Sequence, residues 1–255
     1  MDSKIRKSMV LFSGIMAVML SLVVSSSLSN DWEALYELDE IQLSKQINLL
    51  HEELKQNPSH HDAAKGLGIA YHILATKDAE TYGPNAVKFL DMAFEENRKD
   101  YVTMCYLGSA TTMMAKTTWN PVKEMFYVHK GTPLMDEAVK KDPDNISVRM
   151  TRALNSKRLP SFLGRGHLAL EDFEHLATLI EKGAEFDSTT RKKVYANLAE
   201  LYRKAGELKP QYHAVKFGLT HKGKFHILRG PKREFLSINI NRYRRGRARV
   251  LFRTR

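Results

Sequence analysis

The stretch "KKDPDN", Lys140 to Asn145, ends one helix and opens another. An Asp before Pro is pushed out of the helical region, so a helix carrying Lys140 and Lys141 must stop at Asp142. The two lysines face the negative end of that helix dipole. Asn145 can accept N–H groups of the next first turn. Upstream, Pro133 suits a first helical turn with Asp136 and Glu137 behind it, which predicts a helix over 133–141.

The same joint recurs along the chain. Pro58 stands nine residues before Leu67, with Gly68 next and Tyr71 one turn later. Leu107-Gly108 follows Arg98 at that spacing, Arg152-Ala153 follows Pro143, and Leu198-Ala199 comes with Tyr202. Between these marks run stripes of small and large residues at helical spacing. They are Ala86, Leu90 and Ala93, then Gly131, Met135 and Ala138, then Ala177, Ile180 and Ala184. The chain is 43% hydrophobic and 27% charged, with 8 Pro and 14 Gly, which is ordinary globular material and favours an all-α fold.

This pattern resembles the tetratricopeptide repeat (TPR) family over roughly residues 41 to 207. Leu67-Gly68 with Tyr71, followed by Ala86, Leu90 and Ala93, carries the likeness, and the "KKDPDN" joint supports it. The resemblance implies an α-solenoid of stacked antiparallel helix pairs. It departs in spacing, because three successive repeats exceed the family's roughly 34 residues by about 6, 11 and 12. These insertions carry Tyr82, Trp119, Phe126, Tyr127 and Phe162, which are costly to leave in water. They are read either as contacts on decorated loops or as packing for longer helices.

In such a solenoid the first helix of each pair lines the concave wall. Here that wall would show Lys65, Ile69, His72, Cys105, Ser109, Thr112, Leu154, Lys157, Ala196, Glu200 and Arg203. The family's carboxylate clamp for chaperone tails does not carry over. Ile69 and Tyr106 stand where Asn is needed, and Ser147 and Thr151 replace Lys and Arg. The frame is expected to bind a peptide or protein segment.

Both ends differ from the body. Lys4, Arg6 and Lys7 precede an uncharged apolar run from Met9 to Val24, and small residues follow. That order suits a signal peptide over residues 1–29, with an uncleaved anchor as the rival, and points to export to the periplasm or beyond. The repeat body is expected over 30–207, and a basic, irregular or disordered tail over 208–255. The net charge of +11 resides in that tail. From Leu208 to Arg255 there are 5 Lys and 9 Arg against Glu234 alone, or +13, so the other residues sum to −2. Three readings of the tail stay open. Arg242, Arg244, Arg245, Arg247 and Arg249 could bind nucleic acid, an anionic lipid or a polysaccharide, with Tyr243 and Phe252 stacking. The tail could have no ligand, or it could be the product of a shifted reading frame.

No catalytic or phosphate-binding motif stands out, and the chain is read as non-enzymatic without a cofactor. Cys105 is the single cysteine, in the apolar run "MCYLGSA", and is expected to be buried. His60 and His61 fall at a helix start, where capping explains them better than a metal.

Overall fold

The structure, a computed structural model, describes residues 32–205 together with 224–229 and 234–239. It divides into two compact units at Thr151/Arg152, each described by itself. The signal segment and the tail arginines lie outside the described residues.

The first unit begins with a 3-10 turn, Trp32–Glu37. Helices α1 (Glu40–Gln56), α2 (His61–Ala75), α3 (Ala79–Glu96), α4 (Tyr101–Met113) and α5 (Pro121–Lys141) follow. Helix α6 (Ile146–Arg158) crosses into the second unit, which continues with α7 (Gly166–Glu181) and α8 (Ser188–Ala205). The helices pack as sequence-adjacent pairs, chiefly α2 with α3 and α4 with α5.

The starts of these helices are written in side chains that accept backbone N–H groups. Asp39 forms a capping box with Gln42 at 2.8 and 3.0 Å. Asp78 accepts from Thr81 N–H at 3.1 Å and Asp100 from Thr103 N–H at 3.0 Å. Asn145 accepts from Val148 N–H at 3.1 Å, the role expected of it.

Small residues set how closely the pairs approach. A Cβ on Gly68 would lie 2.5 Å from Leu90 Cγ, and one on Gly131 would lie 2.3 Å from the Gly108 carbonyl oxygen. Leu67, Ile69, Ala86, Leu90 and Ala93 are fully enclosed in one core. Cys105, Met135, Ala138, Val139 and Val148 form another, with the Cys105 thiol donating to the Val148 carbonyl at 3.3 Å.

The insertions lengthen helices. Only Thr76–Asp78 separate α2 from α3, and the added residues become turns of an 18-residue helix. Similarly, α5 runs 21 residues from Pro121, with Asn120 capping Val122 N–H at 2.9 Å. Pro133 is therefore interior, contrary to the first-turn expectation. It occupies the exposed side of α5, while Val128, Gly131 and Met135 hold the other side in the core. Proline has no N–H for the carbonyl one turn back, so Pro133→Ala is expected to stabilise by about 1–3 kcal/mol, read as a higher urea midpoint.

The third stripe sits elsewhere than expected. Ala184 lies beyond the end of α7, and the buried positions are Ala169, Phe173, Leu176 and Ala177, with Asp172 among them. The helix starts at Gly166, which shortens the extra stretch in this repeat. Within the tail, β1 (Lys224–Arg229) and β2 (Glu234–Asn239) pair antiparallel, from Lys224 opposite Asn239 to Arg229 opposite Glu234. This hairpin departs from the irregular or disordered tail expected over 208–255.

Candidate functional site

The wall residues of the first unit are occupied in joining helices. Lys65 Nζ donates to Asp100 Oδ2 at 2.7 Å, so α2 is tied to the start of α4. The Thr103 hydroxyl donates to the same oxygen at 2.8 Å, and His61 Nε2 lies 3.3 Å from it. Two turns along from Lys65, His72 Nε2 is hydrogen-bonded to Ser109 Oγ at 2.9 Å, with the Tyr106 ring edge-on to the imidazole. The Thr112 hydroxyl donates to the Ser109 carbonyl at 2.7 Å.

All of these are enclosed: Lys65 is 9% exposed, His72 6%, Ser109 4%, Thr112 3%, Ile69 and Cys105 0%. The chain itself lies over part of this wall. The Tyr36 hydroxyl is 3.5 Å from His72 Nδ1, and a Cβ on Gly66 would meet the Trp32 ring at 2.6 Å. Lys65, Ile69, His72, Ser109 and Thr112 are thus packing residues here, which corrects their assignment to an open groove. Burial of a polar side chain is tolerated when it finds a partner, and these polar side chains do.

Asp100, which the sequence reading passed over, is the hub of this seam. Burial by itself would raise its carboxyl, but hydrogen bonds from Lys65 and Thr103, with the lysine charge, outweigh that and hold it below the ordinary range. A carboxyl depressed in the folded state contributes stability above its unfolded pKa of about 3.9 and loses it as pH falls through the folded value. Asp100→Asn should therefore lower stability at neutral pH and flatten its decline below about pH 4, checked by urea midpoints across that range.

In the second unit, several wall residues are more accessible. Lys157 donates to Asn197 Oδ1 at 2.7 Å and to Glu200 Oε2 at 2.6 Å. Hydrogen bonds from Lys157 and then Lys204 hold the Glu200 carboxyl down to about 2. Arg203 and Ala196 are exposed, and Leu154 is half-buried. Deeper in this unit, Arg152 makes two 2.8 Å hydrogen bonds to Asp172, which is fully buried. The Tyr202 hydroxyl donates to Glu174.

The insertion aromatics split. Tyr82 packs half-buried, stacked on Tyr71, and Tyr127 lies half-buried edge-on to Phe126. Trp119 is 100% exposed, Phe162 78% and Phe126 59%. Among the described residues no three His, Cys, Asp or Glu converge as metal ligands. His61 is engaged with Asp62 and Asp100.

No family model and no curated protein matches this chain. Among solved structures, a thermophilic TPR protein of Thermus thermophilus aligns with a TM-score of 0.53 and 18% identity, over 69% of this chain and 80% of that one. The fold is of the TPR type. The human IFIT1 dimer with m7Gppp-AAAA aligns at a TM-score of 0.35 and 14% identity, over 71% of this chain and 47% of that one. That second likeness is too loose to add to the argument. The TPR-type register places Gly68 against Leu90 and Gly108 against Gly131, the close approaches on which the repeat depends.

Proposed function

We propose that the chain is an exported, non-enzymatic interaction module that binds a peptide or protein segment on its TPR-type frame. The observation that carries this reading is the helix-pair fold itself, a scaffold whose stacked helices present side chains to a partner. The contacts we assign to the partner are Lys157, Glu200 and Arg203, with Phe162 exposed on its 3-10 turn Ser161–Leu163. The enclosed residues of the first unit are left out, because their polar groups already serve one another.

A photocrosslinking residue at Arg203 of the full chain should trap one discrete polypeptide from a cell-envelope extract. The same group at Leu49, exposed on α1, should not. Equal trapping at both positions, or none at Arg203, would refute the reading. The segregation of +13 onto 208–255 supports a second reading, a polyanion-binding tail that uses Arg242, Arg244, Arg245, Arg247 and Arg249. Such binding should weaken steeply with added salt in a filter assay, whereas salt-insensitive retention would exclude it.

A further inference from the structure

Helix α5 has two apolar faces, and one is unaccounted for. Val128, Gly131, Thr132, Met135, Ala138 and Val139 are buried. At about 100° per residue, Phe126 lies on the side opposite Met135, and Val122 lies one turn before Phe126. Trp119 continues that stripe into the preceding connection. These three are 100%, 77% and 59% exposed in the order Trp119, Val122, Phe126, an exposure that calls for an occupant.

The surrounding charge indicates which occupant. Lys123 and Lys130 are exposed and flank the stripe one residue and one turn from it, and Lys116 is exposed in the 3-10 turn before it. Glu124, the one acid between residues 114 and 130, is only half-exposed. An indole at the tip, aliphatic and phenyl groups behind it and lysines at the margin match the layered chemistry of a bilayer surface. At such a surface an indole N–H and ammonium groups sit at headgroup level while apolar groups enter the acyl boundary.

We propose that the start of α5 is a membrane-contact site. Trp119, Val122 and Phe126 enter the interface of an anionic bilayer, and Lys123 and Lys130 meet lipid phosphates. This inference does not depend on the partner contacts assigned to Arg203.

The test uses the full chain and vesicles of equal parts phosphatidylglycerol and phosphatidylcholine with brominated acyl chains. The protein has two tryptophans, so Trp119→Phe leaves Trp32 emission, and subtraction isolates Trp119. Trp119 emission should shift to shorter wavelength and be quenched by the brominated chains. Lys123→Glu with Lys130→Glu should abolish the quenching without changing the helical circular dichroism.

Unquenched Trp119 emission overturns the proposal, whether the chain stays in solution or sediments with the vesicles through another segment. Equal quenching with phosphatidylcholine alone overturns the anionic assignment. A shift that appears without vesicles and grows with protein concentration would give the face to a second copy of the chain instead.

Discussion

Asp172→Ala is expected to destabilise the protein by about 3–5 kcal/mol, the largest effect of any single polar substitution considered. Asp172 is fully buried and receives two 2.8 Å hydrogen bonds from Arg152, itself 5% exposed. Removing the carboxylate takes two short hydrogen bonds from the buried guanidinium and leaves it the more distant, exposed Glu171 at 3.4 Å. A poorly compensated buried charge costs far more than the ion pair gains. Replacing both partners should be much milder. Arg152 occupies the place that Leu67, Leu107 and Leu198 hold in the other repeats. Arg152→Leu combined with Asp172→Leu therefore substitutes apolar packing for the pair, and should lie closer to wild type than Asp172→Ala alone. Urea unfolding followed by circular dichroism of the three proteins decides this. Asp172→Ala within about 1 kcal/mol of wild type would show that Glu171 or water compensates Arg152.

Gly131→Ala should cost about 2–3 kcal/mol, a large effect for one methyl group. The new Cβ would lie 2.3 Å from the Gly108 carbonyl oxygen, and 2.7 and 2.9 Å from Thr112 Cγ2 and N. Two of those three atoms are backbone, so no side-chain rotation relieves the clash and α4 and α5 must separate. Met135 and Ala138, fully buried on the same face, would then lose contact. Gly83→Ala is the control. A Cβ there meets only Met114 Sδ at 2.7 Å, the far end of a flexible side chain. The gain in helix propensity, about 1 kcal/mol, offsets that adjustment, and the variant should unfold near wild type. Similar losses for the two variants would mean that the close approach of α4 and α5 does not control stability.

The helical class, the joints and the first two pairings were legible in sequence because they depend on short-range rules. A proline that cannot continue a helix, an Asn145 that caps the next one, and small residues four and seven positions apart act within one or two turns. The buried thiol of Cys105 was legible for the same reason, as part of a continuous apolar run. The third stripe was misplaced because the signal is degenerate. Ala169, Phe173 and Leu176 match the spacing as well as Ala177, Ile180 and Ala184 do, and only the start of α7 at Gly166 chooses between them.

What the sequence determined, then, is the set of helices and the partners that small residues allow. Tertiary structure decided which polar residues remain available to a ligand. Lys65 and His72 look like groove residues until Asp100 and Ser109, 35 and 37 positions away, are brought to 2.7 and 2.9 Å. Trp119 and Tyr82 look alike as insertion aromatics, yet one stacks on Tyr71 and the other stands wholly in solvent. A side chain's exposure depends on what the rest of the chain places beside it, and residue type and spacing within a helix do not carry that information.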